Sequence, residues 1–161
     1  MDLLDEELLK FWRSLNDNNV RYIMVGGFAV NMHGYTRATE DIDILIEDSL
    51  SNRRNLGKAL EIFGYGSLSW EEIQFVPGWT NFYVGPGIVL DILTSMKGIG
   101  ISFEQALTAA SLADIDGIEI PFLHINHLIA NKKAVNRSKD QLDVIELEKI
   151  KELRKEMGFD Q

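Results

Sequence analysis

The stretch VGGFAVNMHGYTRATEDIDILIE, residues 25–47, decides the fold. It sets two adjacent glycines, Gly26 and Gly27, at the end of one strand-like run and two acids, Asp41 and Asp43, at the start of another. Side chains alternate across a strand, so Asp41 and Asp43 project from one face while Ile42 and Ile44 enter the other. Two carboxylates on one face repel each other, and at the end of a buried strand they cost free energy unless a cation compensates. Hard divalent ions such as Mg²⁺ prefer oxygen ligands of this kind. The glycines complement the acids. A strand that ends in Gly-Gly and turns into a helix lets backbone N–H groups approach a phosphate with no Cβ in the way. The pattern is neither Gly-x-Gly-x-x-Gly nor a P-loop, because no Gly-Lys-Ser/Thr follows, so dinucleotide-binding and P-loop readings fail.

Working outward, Leu3, Leu4, Leu8, Leu9, Phe11, Trp12 and Leu15 recur at helical spacing and predict a helix over 2–17. A strand at 20–25 precedes the glycines, a helix at 28–33 stops at Gly34, and a second strand covers 42–46. A helix over 52–63 is closed by Gly64. Strands are expected at 73–76, 81–84 and 88–93, separated by Pro77-Gly78 and by Gly85-Pro86-Gly87. The last of them carries Asp91 within an apolar run. A helix over 102–110, a hairpin of 112–115 and 118–120 around Asp116-Gly117, and two C-terminal helices complete the chain. Asn126 is the expected cap of the first of these helices, which runs to Val135. Residues 138–141 have capping-box spacing for the second, which reaches about residue 157. The order implies an α+β domain with one mixed β-sheet flanked by α-helices.

With 161 residues and 45% hydrophobic content, the chain is expected to form a single domain over 1–161. It contains no cysteine, so disulfides, thiolate zinc sites and a cysteine nucleophile are excluded and a cytoplasmic location is expected. It opens on Asp2, Asp5, Glu6 and Glu7, and no run approaches the ~20 apolar residues of a membrane span. The net charge of −9 disfavours non-specific DNA binding, which needs many clustered cations, and leaves room for a small anionic substrate neutralised by metal ions.

Asp91, on another apolar strand, is the candidate for a third carboxylate. Three acids from two neighbouring strands suit a pair of metal ions ~3.5–4 Å apart, the arrangement used for in-line phosphoryl or nucleotidyl displacement.

Gly26-Gly27, thirteen intervening residues, Asp41-Ile42-Asp43-Ile44 and the later Asp91 together resemble the signature of the DNA polymerase beta-like nucleotidyltransferase superfamily. The run Arg37-Ala38-Thr39-Glu40-Asp41-Ile42-Asp43 is similar to stand-alone bacterial members. Residues 128–132 and 137–143 resemble the helical segment of abortive-infection toxin-type transferases. The matches span 25–143 and are specific for the superfamily rather than for a substrate.

The resemblance implies a minimal transferase that binds an NTP such as ATP with two Mg²⁺ or Mn²⁺ ions, transfers a nucleoside monophosphate to a hydroxyl and releases pyrophosphate. Asp41 and Asp43 would hold both metals. Asp91 would bind one of them and assist deprotonation of the attacking hydroxyl. Gly26 and Gly27 would meet the β- and γ-phosphates, and Lys132 would neutralise charge that builds in the transition state. Asp140 would contact the nucleotide or orient Lys132, while Arg37 and Thr39 would bind phosphate or brace the loop. One departure is Gly27, where the family often has a serine.

The acceptor is left open among a protein, a tRNA end and a small molecule, as is a cognate toxin or antitoxin partner. A basic patch at Lys132, Lys133, Arg137 and Lys139 keeps RNA in play. Two other readings use the same residues: a non-catalytic binding or antitoxin-like module, which retention of all three acids opposes, and a metal-dependent phosphoesterase, which has no need of the Gly-Gly cradle. His33, His124 and His127 share no metal-ligand spacing and read as structural or surface groups. Trp12, Trp70 and Trp79 read as packing, with Trp70 or Trp79 the alternatives for stacking on a base.

Overall fold

The computed structural model describes residues 5–39 and 41–159. Asp5 caps the first helix, α1 (Glu6–Asp17), by accepting a hydrogen bond from the Glu7 backbone N–H, and the helix buries Leu8, Phe11, Trp12 and Leu15 along one side. Leu3 and Leu4 of the expected helix lie outside the described residues. β1 (Tyr22–Val25) runs directly into α2 (Gly26–Met32), and β2 (Asp41–Ile46) follows. The glycines are thus the first turn of α2 rather than a break ahead of it.

Next come α3 (Leu50–Leu60) and a 3-10 turn, Glu61–Phe63, closed by Gly64 in the left-handed region at φ 96°. β3 (Asn81–Tyr83) and β4 (Val89–Leu93) are followed by α4 (Phe103–Ala109), whose cap Ser102 forms a capping box with Gln105. The hairpin β5 (Ser111–Ile115) and β6 (Ile118–Phe122) turns at Asp116-Gly117, as its sequence predicts. α5 (Ile125–Val135) and α6 (Ser138–Glu156) close the chain.

The six strands form one mixed sheet in the order β3-β4-β2-β1-β6-β5. β1 is antiparallel to β2 and parallel to β6, and β4 is parallel to β2. This is the α+β architecture the sequence implies. Ile42, Ile44 and Ile46 of β2 are fully buried, as are Leu90 and Ile92 of β4, and they join one apolar cluster with Trp12, Phe28 and Leu56. Each fully buried side chain of this kind contributes roughly 1.5–3 kcal/mol. The strands that carry the acids are therefore anchored firmly from their other face. Trp12 stacks on Tyr22 with ring centroids 5.8 Å apart, tying α1 to β1.

Three expectations are corrected. Residues 73–76 form no strand, because their backbone groups are taken by side chains: Arg53 donates to the Ile73 carbonyl at 2.6 Å, Thr80 Oγ1 donates to the Gln74 carbonyl, and the Val76 N–H donates to Thr80 Oγ1. The cap of α5 is His124, whose Nδ1 accepts from the Asn126 N–H, not Asn126 itself. The cap of α6 is Arg137, whose backbone N–H donates to the Asp140 carboxylate at 3.0 Å, one residue ahead of the expected position. No helix among the described residues is long and apolar enough to cross a membrane.

Candidate active site

The parallel pairing of β2 with β4 sets Asp43 directly beside Asp91 and Asp41 beside Val89. Laterally paired residues of a sheet point the same way, and so do residues two apart on one strand. Asp41, Asp43 and Asp91 consequently stand on one face of the sheet, at the mouth of a cleft of about 810 Å³. Burial, followed by the charges of Asp91 and Asp41, pushes the Asp43 carboxyl up to about 7, against the pull of Lys132 and Lys139. Burial also raises Asp91, opposed by a hydrogen bond from the Gly78 N–H and reinforced by Asp41. Asp43 and Asp91 are therefore both held more readily protonated than an exposed acid.

Among the described residues no three carboxylate or imidazole groups are arranged about a single point as a metal site requires. Asp91 Oδ1 accepts from the Gly78 N–H at 3.3 Å, and Asp43 leans over Gly26. The donor set nonetheless fits a divalent cation in chemistry: every donor is a carboxylate oxygen, the acids occupy adjacent positions, and a cation would offset the repulsion that raises Asp43.

The glycines are dictated by the acids above them. Gly26 has φ +69°, and a Cβ there would lie well inside van der Waals contact with the Asp43 carboxylate. Only glycine satisfies both the left-handed backbone and the close approach. A Cβ on Gly27 would meet Thr39 Oγ1 at 2.5 Å and the Arg37 guanidinium at 3.3 Å. The space beside Gly27 is thus filled from across the cleft by Thr39 and Arg37, including a hydroxyl that the residue itself lacks.

The opposite wall is cationic. Arg37, Lys97, Lys132, Arg137 and Lys139 all line the cleft, facing three carboxylates in a chain of net charge −9. Lys132, only 5% exposed, sits in the last turn of α5 with its Nζ 3.2 Å from both Asp140 and Asp143 of α6. Arg37 grips Asp143 with two parallel hydrogen bonds of 2.8 and 2.9 Å. Arg137 donates to Asp140 at 2.7 Å. Burial works to raise Asp140, but the Arg137 hydrogen bonds and the Lys132 charge outweigh it and hold its carboxyl at about 2.

The fold thus brings together eight of the residues singled out in the sequence: Asp41, Asp43, Asp91, Gly26, Gly27, Arg37, Thr39 and Lys132 all border the cleft. Asp140 does not. It is fully buried behind Lys132 and Arg137, so of its two expected roles nucleotide contact is corrected and orientation of Lys132 is the one its position allows. The basic patch divides: Arg137 and Lys139 border the cleft, whereas Lys133 pairs with Glu148 on the outside. Trp70 is buried against Phe75 and Phe82, which removes it as a stacking platform, while Trp79 is 86% exposed beside Gly78. Asp143 and Lys97 were not singled out as site residues. Asp143 could have been found from its i,i+3 spacing to Asp140 on one helix face; Lys97 lies in a loop with no local signal.

No family model matches the chain, and no curated protein sequence matches it. Solved structures do. The lincosamide antibiotic adenylyltransferase LnuA, in its lincomycin-bound form, superposes with a TM-score of 0.60 at 18% identity over 91% of this chain and 97% of its own. A putative nucleotidyltransferase from Thermotoga maritima gives 0.56 at 17% identity over 94% and 90%. ANT(2")-Ia in complex with adenylyl-2"-tobramycin gives 0.53 at 15% identity over 91% and 92%. The chain shares its fold with nucleotidyltransferases across nearly its whole length.

Proposed function

We propose that this protein is a divalent-metal-dependent nucleotidyltransferase that moves a nucleoside monophosphate from an NTP to a hydroxyl acceptor. The observation that carries the reading is the lateral pairing of Asp43 with Asp91, with Asp41 two residues away, at the end of the sheet where β1 turns through Gly26-Gly27 into α2. Asp41, Asp43 and Asp91 would hold Mg²⁺ or Mn²⁺, which when bound polarises the reacting phosphate and offsets the charge that accumulates on it. The first turn of α2 at Gly26 and Gly27 receives the terminal phosphates, beside the Thr39 and Arg37 side chains. Arg37 and Lys132 border the same space and neutralise them.

In the transfer the acceptor oxygen bonds to the α-phosphorus as the bond from that phosphorus to the bridging oxygen of the β-phosphate breaks, and pyrophosphate departs. The hydroxyl proton passes to Asp91, the carboxylate paired laterally with Asp43 on the same face of the sheet. Trp79 is exposed and adjacent in the chain to Gly78, whose N–H donates to Asp91.

The test is incubation of the protein with each labelled ribonucleoside triphosphate, Mg²⁺ or Mn²⁺ and a cell lysate, followed by fractionation into protein, RNA and small molecules. Label should enter one fraction and vanish after Asp41→Ala with Asp43→Ala. A labelled protein is the outcome that fits a toxin-like role, and a labelled small molecule fits a relationship of activity as well as fold to the antibiotic-modifying enzymes. Absence of label with the wild type, or equal label with the double variant, rejects the proposal. Release of inorganic phosphate from simple esters without nucleotide would instead establish a phosphoesterase.

A further inference from the structure

Behind the cationic wall, five side chains alternate in charge: Arg37, Asp143, Lys132, Asp140 and Arg137. The three cations border the cleft, whereas Asp140 and Asp143 are 0% and 1% exposed and do not. The ladder joins the loop before β2 to the consecutive helices α5 and α6, far away in the chain. Its two acids are three residues apart on α6 and so face the same way. Asp143 is the branch point: Arg37 occupies its Oδ1 and Oδ2 from one side, and Lys132 meets its Oδ2 at 3.2 Å from the other.

A guanidinium held through both Nε and one terminal nitrogen has its plane fixed. Its remaining nitrogen is then aimed rather than free, which a single-point contact does not achieve. Here that remaining nitrogen, Nη1, donates to the Ala38 carbonyl at 3.2 Å and lies 3.3 Å from where a Cβ of Gly27 would be. Arg37 is therefore set over the first turn of α2.

We propose that Asp143 is a positioning residue for polyphosphate recognition: buried and out of reach of substrate itself, it aims Arg37 at the β- and γ-phosphates of an NTP bound at Gly26-Gly27. This rests on the nucleotidyltransferase reading. One further property of the ladder agrees with it: its three cations line the same cleft as Asp41, Asp43 and Asp91. The proposal predicts selectivity by phosphate number, since a nucleoside monophosphate has no β- or γ-phosphate for Arg37 to meet.

The experiment is calorimetric titration, in Mg²⁺, of the tightest-binding ribonucleoside triphosphate and its monophosphate into wild type, Asp143→Asn, Arg37→Gln and the double variant, with thermal melts of each. Asn keeps the shape of the side chain and removes the charge. Each single variant should bind the triphosphate about tenfold more weakly and the monophosphate within about twofold of wild type, and the double variant should be no weaker than Arg37→Gln alone, as expected for residues acting in series. A merely structural role would lower the melting temperature and weaken both nucleotides alike.

Wild-type triphosphate affinity in Asp143→Asn, or losses that multiply in the double variant, overturns the proposal and leaves the transferase reading standing. If Asp143→Asn does not fold, Arg37→Gln decides, because Arg37 is partly exposed: unchanged triphosphate affinity overturns the proposal. Failure of the wild type to bind any triphosphate with Mg²⁺ overturns both readings.

Discussion

Replacing Asp43 by Asn should make the metal-free protein more stable while abolishing transfer. The folded protein holds the Asp43 carboxyl at about 7, up from an ordinary 3.8, through burial and the charges of Asp91 and Asp41. Titrating at about 7 rather than 3.8 corresponds to roughly 4 kcal/mol of differential free energy, with the folded state preferring the protonated acid. The sign follows from which state binds the proton more tightly. Above about pH 7 the acid is ionised in both states and the full penalty is present. As the pH falls through 7 the folded state takes up a proton that the unfolded chain does not, and the penalty shrinks until it is gone below about pH 4.

Asn never carries the charge, so the variant should exceed wild type by about 2–4 kcal/mol at about pH 8, less whatever its buried amide costs. For a chain of this size that is roughly 4–16 °C in melting temperature. The assay is urea or thermal unfolding in a chelator at about pH 8 and about pH 5, where the advantage should fall by more than half. Mn²⁺ should then stabilise the wild type at the higher pH and do little for the variant. A variant no more stable than wild type in chelator, or an advantage that does not narrow on acidification, would refute the assignment of Asp43 as a charge held against its own fold.

Two further substitutions probe the supports of the site. Gly26→Ala forces a side chain into the left-handed region and against the Asp43 carboxylate; it should cost about 1–2 kcal/mol from the backbone alone, and Mn²⁺ affinity measured by calorimetry should drop further than stability does. Lys132→Met removes the cation between two buried acids and should destabilise the protein by about 3 kcal/mol in urea unfolding. The same change should move the titration of Asp43, followed by carboxyl NMR, above its wild-type value, since Lys132 is one of the charges that lowers it.

Much of this site was legible in sequence because its signals are short-range. The Asp41-Ile42-Asp43-Ile44 alternation specifies a strand with one acidic face, and the adjacent glycines specify a sharp entry into α2. That Asp91 would fall beside Asp43 needed one further assumption, that the two apolar runs pair in parallel, and β2 and β4 do so in this register. The missed features are those set by tertiary partners. Residues 73–76 alternate like a strand, yet Arg53 and Thr80, reaching in from α3 and from the end of the loop, take the backbone groups that a neighbouring strand would have used. The α6 cap moved back one residue because Asp140 reaches the Arg137 N–H, which the spacing of Ser138 and Gln141 conceals. Asp143 is marked locally only by its spacing to Asp140; its meaning comes from Arg37, over a hundred residues away in the chain.

Two aspartates near the cleft show how the fold separates acids engaged by cations from acids set beside other acids. Burial works to raise both Asp43 and Asp140. Asp140 nonetheless ends at about 2, because Arg137 and Lys132 hydrogen-bond its oxygens, and a carboxylate so engaged has little left to offer a metal. Asp43 ends at about 7, because its nearest charged neighbours on the sheet are acids and the cations across the cleft only moderate them. The difference lies in partner geometry rather than residue type, and it runs opposite to what stability alone would favour. The fold keeps Asp43, Asp91 and Asp41 side by side while Asp140 and Asp143 engage Arg37 and Lys132. On the proposed reading, a bound divalent cation would offset the repulsion among the three acids.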